Sequence, residues 1–180
     1  MRVITGKARG KRLYTLEGMS VRPTSEKVKE AVFSAIQFEI EGRNVLDLFA
    51  GSGQLGIEAI SRGAKGAVFV DSSKQSLETV KKNLAVTDFS ALSKTVLSDY
   101  SQYLLICSEK FDIAFLDPPY NIGILSDALK KTERVMNDGG TIICEHPPEV
   151  SLPETVGRFV QWRSYKYGKI CVTVYKKESN

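Results

Sequence analysis

The chain has 180 residues, a length that suits one domain with a sizeable hydrophobic core. Hydrophobic residues make up 42% and charged residues 26% of it, and no apolar run reaches the roughly 18–20 residues of a membrane span, which excludes a disordered chain and a membrane protein. Three separated cysteines and one histidine argue against a disulfide framework and a structural metal site, and they favour a cytoplasmic protein.

Positive charge is concentrated at the N-terminus. Residues 1–30 have a net charge of +5, whereas residues 31–180 have a net charge of −1. We therefore predict a basic arm over residues 1–24 that binds a polyanion, followed by one domain over residues 25–180. Charge alone also allows a solvated tail that only aids solubility. The predicted contact residues within the arm are Arg2, Lys7, Arg9, Lys11, Arg12, Arg22 and Thr24.

The rest of the chain alternates between amphipathic stretches and short apolar runs. SEKVKEAVFSAIQFEI predicts a helix that ends near Gly42. Five strands are predicted at NVLDLFA, AVFVD, SKTVLSD, FDIAFLD and TIICE, with helices after most of them. FVQWRSYKYGKICVTVY predicts a closing antiparallel hairpin around Gly168. This order predicts an α/β fold of the Rossmann-like type, with a mostly parallel sheet and helices on both faces.

A glycine loop follows the first predicted strand. Gly51-Ser-Gly-Gln-Leu-Gly56 matches the pattern GxGxxG, in which glycines let the backbone turn sharply and approach a ligand at a helix N-terminus. Asp71 ends the next strand, where a carboxylate can accept hydrogen bonds from both hydroxyls of a ribose. Together they indicate a site for an adenosine-type nucleotide, which a nicotinamide enzyme would share.

Two further acids favour S-adenosylmethionine over a dinucleotide. Asp47, in the strand before the loop, would repel a pyrophosphate but suits a cofactor with a sulfonium and an ammonium group. Asp99, after the third strand, is placed to accept from an adenine amino group. A solvent-facing turn is the alternative role for Asp99.

Asp117-Pro118-Pro119-Tyr120 ends the fourth predicted strand. Two prolines can simply stop a strand. The same order also suits an amine site, because Asp117 and the Pro118 carbonyl can accept the two N–H groups of an amine. Pro119 fixes the turn, and Tyr120 offers a ring on which a base can stack. We predict that these four residues hold the amine that reacts.

Three other residues carry weaker predictions. His146 is expected in a loop and not in catalysis. Trp162 and Tyr165 are expected to pack in the core or the hairpin, with a groove-lining role for Tyr165 as the alternative.

Several motifs in this order give the chain a family resemblance. MRVITGKARGKRL, RPTSEKVKEAVFSAI, LDLFAGSGQLGIEAISRGA, FDIAFLDPPY and YGKICVTVY resemble the RsmD-type bacterial small-subunit ribosomal RNA guanine-N2 methyltransferases along nearly the whole length. The resemblance implies methyl transfer from S-adenosylmethionine to the N2 amine of a guanine in ribosomal RNA or in a partly assembled small subunit. We also expect a monomer that binds neither a membrane nor a metal.

The resemblance also implies which residues form the sites. Asp117 to Tyr120 would hold the target amine, and Arg22 and Thr24 would face RNA or the cofactor. Asp71 departs from the longer glutamate expected at its position, which affects the ribose geometry. The implied cofactor residues are Asp47, Ala50, Gly51, Gly53, Asp71, Ser72 and Asp99.

Three other functions compete with this hypothesis. A DNA or RNA adenine or cytosine amino-methyltransferase shares the Asp-Pro-Pro-Tyr motif, although the DNA enzymes are expected to carry an extra recognition domain. A non-catalytic RNA-binding module would not need the intact motif and glycine loop. A nicotinamide oxidoreductase is disfavoured by Asp47.

Overall fold

A computed structural model of the chain describes residues 1–16, 26–119 and 123–177. Within these ranges, eight strands form one sheet in the order β3-β2-β1-β4-β5-β8-β7-β6. The strands are β1 (Asn44–Asp47), β2 (Gly66–Asp71), β3 (Ser93–Leu97), β4 (Phe111–Leu116), β5 (Met136–His146), β6 (Thr155–Val156), β7 (Phe159–Tyr167) and β8 (Ile170–Lys177). The helices are α1 (Glu26–Ala35), α2 (Gln54–Ser61), α3 (Lys74–Thr87), α4 (Tyr100–Ile106) and α5 (Ile124–Thr132).

Strands β1 to β5 pair in parallel, and β8, β7 and β6 are added antiparallel beyond β5. Within the parallel part, the strand order 3-2-1-4-5 means that successive strands are added on one side of β1 up to β3 and on its other side from β4 onward. Ligands of such sheets bind beyond the carboxyl ends of the strands, at the point where the order reverses. We call this side of the sheet the carboxyl edge. The predicted fold class, including the C-terminal hairpin, is confirmed.

Both faces of the sheet are covered, which explains the long apolar runs of the central strands. One core cluster packs α1, α2 and α3 against residues such as Phe69 and Phe115. The other packs α4 and α5 against residues such as Leu46 and Leu116. The motifs that follow each strand are therefore carried by a rigid, buried framework. No helix among the described residues is long and apolar enough to cross a membrane.

Two elements differ from the sequence prediction. Helix α1 ends at Ala35 and not near Gly42, and the chain continues in turns while Ile36 and Ile40 stay buried. Apolar residues therefore continue at helical spacing beyond the end of α1, because turns can also bury side chains. Helix α4, with Asp99 as its N-cap, was not predicted.

The basic N-terminal segment packs onto the domain. Val3, Ala8 and Leu13 are buried in the same core cluster as α1, α2 and α3. Arg2 and Arg12 form an isolated antiparallel bridge, so the segment is a narrow hairpin whose cations stay exposed. Residues 1–13 are consequently part of the folded body and do not extend from it as a free arm.

A buried carboxylate in α2 fixes this hairpin. Glu58 accepts hydrogen bonds from the backbone N–H groups of Ile4 (2.8 Å) and Thr5 (3.0 Å). It also pairs with Arg62 at 2.9 Å and with Lys29 at 3.3 Å, and Lys29 donates to the Arg2 carbonyl at 2.7 Å. Burial lowers the pKa of Lys29, and the charge of Glu58 acts in the opposite direction. The hairpin is thus tied to the body by charge-assisted hydrogen bonds.

Candidate cofactor and amine site

A cleft at the carboxyl edge brings some of the predicted cofactor and amine residues together, whereas Gly53, Asp71, Ser72, Asp99 and Pro118 are not in its lining. Asp47, Ala50 and Gly51 line it, and so does Asp117. Another wall is formed by Met1 at the start of the N-terminal hairpin and by Thr15 and Leu16, which follow the hairpin. A larger cavity of about 470 Å³ lies where β1, β2 and β3 begin, but none of the predicted site residues lines it. The carboxyl-edge cleft is therefore the candidate functional site.

The geometry of the glycine loop explains its sequence. Gly51 has φ 53° and Gly53 has φ 78°, a left-handed backbone that other residues rarely adopt. A Cβ at Gly56 would lie 2.4 Å from the Phe69 ring, so this glycine is needed where α2 crosses β2. The loop therefore opens toward the cleft while α2 packs closely on the sheet.

Asp71 organises the loop from the end of β2. Its carboxylate accepts from the backbone N–H groups of Gly51 (2.8 Å) and Ser73 (2.8 Å). Asp71 is half-buried, and the neighbouring Ser72 is exposed. A carboxylate has about four lone-pair positions, so two such bonds leave Asp71 able to accept from a ribose. The ribose role of Asp71 and the cofactor role of Ser72 stay predictions.

Asp47 is a buried acid in the floor of the cleft, with 2% of its surface exposed. Its Oδ2 accepts from the Gly56 N–H at 3.0 Å. Burial raises the pKa of Asp47 to about 7, the Gly56 hydrogen bond opposes this shift, and the charge of Asp71 adds to it. A cationic ligand in the cleft would stabilise the ionised form.

Gln54 lies at the start of α2 and was missed by the sequence predictions. Gln54 lines the cleft, and its buried side-chain Oε1 has no hydrogen-bond partner among the described residues. Leaving a buried acceptor unpaired costs roughly 1–3 kcal/mol, so such a group indicates a ligand that donates to it. Its place inside GxGxxG, at the start of the helix, was the available signal.

Asn83 was also missed, and it connects the N-terminal hairpin to the glycine loop. Its side chain accepts from the Tyr14 N–H (2.7 Å) and donates to the Tyr14 carbonyl (3.0 Å). It also donates to the Ser52 carbonyl at 2.8 Å. The sequence shows only an asparagine inside an amphipathic helix, and its burial became visible with the structure.

Asp117 follows β4 directly and lines the same cleft as Asp47. Pro118 is buried and Pro119 is exposed, so the turn is anchored at its first proline. Tyr120 lies outside the described residues, as do Arg22 and Thr24. The placement of Asp117 at the cleft agrees with the amine hypothesis, which stays a prediction.

Asp99 has a structural role in addition to its predicted ligand role. It is exposed and caps α4 by accepting from the N–H groups of Ser101 (2.8 Å) and Gln102 (3.3 Å). The next residue, Tyr100, packs its ring 5.3 Å from that of Phe49, which lines the cleft. The cap holds α4 beside the cleft, and the contact of Asp99 with adenine stays a prediction.

The predicted RNA-contacting cations lie in two places. Lys7, whose N–H donates to the Ser61 carbonyl, is at the C-terminal end of α2, and Arg9 is in the same turn. Lys11 donates to the Val86 carbonyl near the end of α3. Because α2 and α3 run away from the carboxyl edge, these three cations are remote from the cleft. Arg2 and Arg12 are nearer to it, and Arg2 pairs with Glu26 at the start of α1.

The expectation of a loop position for His146 is wrong. His146 ends β5, is buried, and its Nε2 is 2.8 Å from the Thr173 hydroxyl. Trp162 is 41% exposed on the hairpin and is not a core residue. Tyr165 is half-buried and packs against the core, as expected.

Strand order, glycine loop and cleft together define a Rossmann-like methyltransferase fold. The chain matches the family described as "Conserved hypothetical protein 95" over residues 1–176. It therefore belongs to this family, the RsmD-type methyltransferases, and the predicted family is confirmed.

Similar proteins span the whole chain. The Bacillus subtilis protein YlbH is 41% identical over 98% of this chain and 99% of its own. Ribosomal RNA small subunit methyltransferase D of Escherichia coli is 30% identical over 99% of this chain and 91% of its own.

Solved structures give the same picture of the fold. The Escherichia coli protein yhhF has a TM-score of 0.89 at 30% identity and covers 100% of this chain and 99% of its own. A Thermus thermophilus 16S rRNA N2 methyltransferase, RsmC, in complex with AdoMet and guanosine, has a TM-score of 0.72 at 24% identity. This chain covers 45% of RsmC, and 91% of this chain is covered.

Proposed function

We propose that this protein transfers a methyl group from S-adenosylmethionine to the N2 amine of a guanine in small-subunit ribosomal RNA. One observation carries the proposal: Asp117 of the Asp-Pro-Pro-Tyr motif lies in the same cleft as Asp47 and the glycine loop. An amine held by the motif is thereby adjacent to a nucleotide-type cofactor. Family membership and the name of the Escherichia coli relative support ribosomal RNA as the substrate.

The described residues fit S-adenosylmethionine. Asp47 would face its cationic end, the unpaired Oε1 of Gln54 would accept from its ammonium group, and Asp71 would accept from its ribose. When bound, the cofactor supplies a methyl carbon on a sulfonium, which an amine nitrogen can attack. The residues around it hold and orient the reactants.

Asp117 acts on the amine. Its carboxylate and the Pro118 carbonyl accept the two N–H groups of the guanine amine, and Tyr120 stacks on the base. Accepting both hydrogens directs the nitrogen lone pair at the methyl carbon, and such alignment supplies much of a rate enhancement. After the transfer the nitrogen loses one proton, for which Asp117 is the nearest acceptor in the proposed arrangement.

The test is to incubate the protein with S-adenosylmethionine and bacterial small-subunit ribosomal RNA, either free or in partly assembled subunits. Mass spectrometry of the nucleosides should show N2-methylguanosine. N6-methyladenosine or N4-methylcytidine would instead identify an adenine or cytosine enzyme. We propose that the protein acts as a monomer in the cytoplasm, which light scattering and fractionation would check.

Asp71→Ala is expected to weaken S-adenosylmethionine binding roughly ten- to a hundredfold, because a hydrogen bond to a charged acceptor is lost and the Gly51 turn loses its anchor. Isothermal titration of a variant with an unchanged circular dichroism spectrum measures this. Asp88→Asn, at the exposed C-terminal end of α3, serves as the control for removal of an acid, because asparagine tolerates the left-handed backbone at this position. Unchanged affinity in a folded Asp71→Ala protein would refute the assignment.

We also propose that the N-terminal cations bind RNA. Replacement of Lys7, Arg9, Lys11 and Arg12 with alanine is expected to weaken RNA binding and to flatten its salt dependence by about 3 in log–log slope if all four contact phosphate. RNA affinity at several salt concentrations measures the slope, and S-adenosylmethionine affinity should stay the same. If the variant and the wild type have the same salt slope, these cations do not contact RNA and the N-terminal segment only aids solubility.

A further inference from the structure

A second concentration of positive charge lies in the C-terminal hairpin. Residues 155–177 contain six Lys and Arg and no acid, whereas residues 31–154 have a net charge of −6. The near-neutral total of residues 31–180 therefore combines an acidic centre with a basic hairpin. A basic surface of this kind attracts polyanions.

Half of these cations are already paired. Arg158 lies 3.2 Å from Asp138, Lys177 lies 2.7 Å from Asp138, and Lys176 pairs with Glu39. Arg163, Lys166 and Lys169 are exposed and form no ion pair with any residue in the described ranges. The unpaired charge thus lies in the half of the hairpin that ends in the turn at Gly168.

The register of the sheet puts this end of the hairpin level with the amine site. Leu116 pairs with Cys144, Cys144 with Thr173, and Thr173 with Ser164. One residue further along each strand, Tyr165 is level with Asp117. Residues 166–169 extend beyond that level, on the carboxyl edge. Three strand spacings separate β4 from β7, or about 14 Å, which a few nucleotides span.

The hairpin also presents its aromatic residues on the face of the sheet that carries the cleft. Tyr165 and Tyr167 pack against the core cluster that includes Ala50 and Leu55, two residues lining the cleft. Their rings are stacked at 24° with centroids 6.4 Å apart, and both side chains are half-buried. Lys166 projects from the opposite face of β7, because side chains alternate along a strand, and Lys169 lies in the turn, so the rings and the cations meet at the end of the hairpin. There the rings can stack bases while the cations contact phosphates.

We infer that Tyr165, Lys166, Tyr167 and Lys169 form a docking surface for the single-stranded RNA that flanks the target nucleotide. The inference rests on the proposed function and names a second part of its substrate site. Phosphates next to the target contact Lys166 and Lys169, and a neighbouring base stacks on the tyrosine pair. Holding the flanking strand leaves the target base free to enter the cleft beside Asp117.

Lys166→Ala/Lys169→Ala tests the phosphate contacts. Affinity for bacterial small-subunit ribosomal RNA should fall, and the log–log salt slope should fall by about 1.4–1.8, because two phosphate contacts are lost. Lys81→Ala/Lys82→Ala is the matched control, because it removes two exposed cations from α3, which covers β2 and β3 at the other end of the sheet order. The control should keep the wild-type slope.

Tyr165→Leu/Tyr167→Leu tests the stacking, because leucine keeps apolar packing on the core but removes the rings. RNA affinity should fall on the order of tenfold with no change in salt slope, since no charge is lost. S-adenosylmethionine affinity serves as the check that the cleft is intact.

The inference and the proposed function fail in different ways. A wild-type protein that methylates no RNA overturns the proposed function. Wild-type methylation together with an unchanged salt slope in Lys166→Ala/Lys169→Ala overturns the docking surface alone. An equal loss of slope in the α3 control would also overturn it, because the effect would then reflect general charge.

Discussion

Asp117→Ala is expected to lower methyl transfer to RNA on the order of a hundredfold or more, while S-adenosylmethionine affinity changes little. Asp117 is assigned to the amine, and misplacement of a reacting group by about 1 Å can cost a hundredfold in rate. Single-turnover transfer at saturating cofactor and RNA isolates this step, and titration of the cofactor checks the cleft.

Asp117→Asn is the matched variant for that experiment. The amide keeps the shape and one acceptor oxygen but loses the charge, so the transfer rate should lie between those of the wild type and the alanine variant. A near-normal single-turnover rate in Asp117→Ala would contradict the role of the motif. A large loss of cofactor affinity would indicate instead that Asp117 binds the cofactor.

Asp47→Asn is expected to weaken S-adenosylmethionine binding on the order of a hundredfold above neutral pH, because it removes the buried charge that faces the cationic end of the cofactor. The pKa of Asp47 is about 7 in the free protein, because burial penalises the carboxylate. Since a cationic ligand favours the ionised form, wild-type affinity should rise between pH 6 and pH 8. The affinity of the asparagine variant should stay flat over that range when measured by titration calorimetry.

The same substitution should stabilise the free protein at alkaline pH. The pKa of Asp47 is raised by folding from 3.8 to about 7, so the native state holds a proton that the unfolded chain releases between these values. The stability that this proton contributes is present below about pH 4 and is lost as pH rises through 7. At pH 8 the loss amounts to about 4 kcal/mol at most, from 1.36 kcal/mol per pKa unit.

Thermal unfolding without cofactor measures this effect. Asp47→Asn should melt several degrees above the wild type at pH 8, and the difference should shrink toward pH 5. Asp88→Asn is the control, because Asp88 is exposed and has a left-handed backbone conformation directly after α3, and it should show no such trend.

The binding experiment has its own contradicting outcome. If Asp47→Asn binds the cofactor as tightly as the wild type, with the same pH dependence, Asp47 does not face the cationic group.

Much of the candidate site could be predicted from the sequence because its parts are local. The glycine loop, Asp71 and Asp117 each follow a short buried strand, and parallel strands bring the residues after their carboxyl ends to one edge. Alternating apolar runs and amphipathic stretches were enough to predict such strands. The fold class and the shared cleft follow from that pattern.

Side-chain contacts between distant segments were beyond the sequence pattern. Asn83 and Glu58 look like ordinary polar positions in their helices, yet each binds backbone groups of the N-terminal hairpin more than 50 residues away. The unpaired Oε1 of Gln54 becomes visible only when its surroundings are known. Long-range hydrogen bonds depend on three-dimensional packing and leave no periodic trace in a sequence.

The positive charges show most clearly what the sequence determined and what only the tertiary structure decided. The sequence by itself determined that residues 1–30 are basic, and it suggested an arm. Only the tertiary structure decided that residues 1–13 are fixed to the body by Glu58, with Lys7 and Arg9 turned away from the cleft. It also decided that Lys166 and Lys169 lie at the carboxyl edge, because strand pairing across β5, β8 and β7 sets which residues share a level. The number of charges can be counted from the sequence. The side of the protein on which they lie is set by the pairing of strands that are far apart in the sequence.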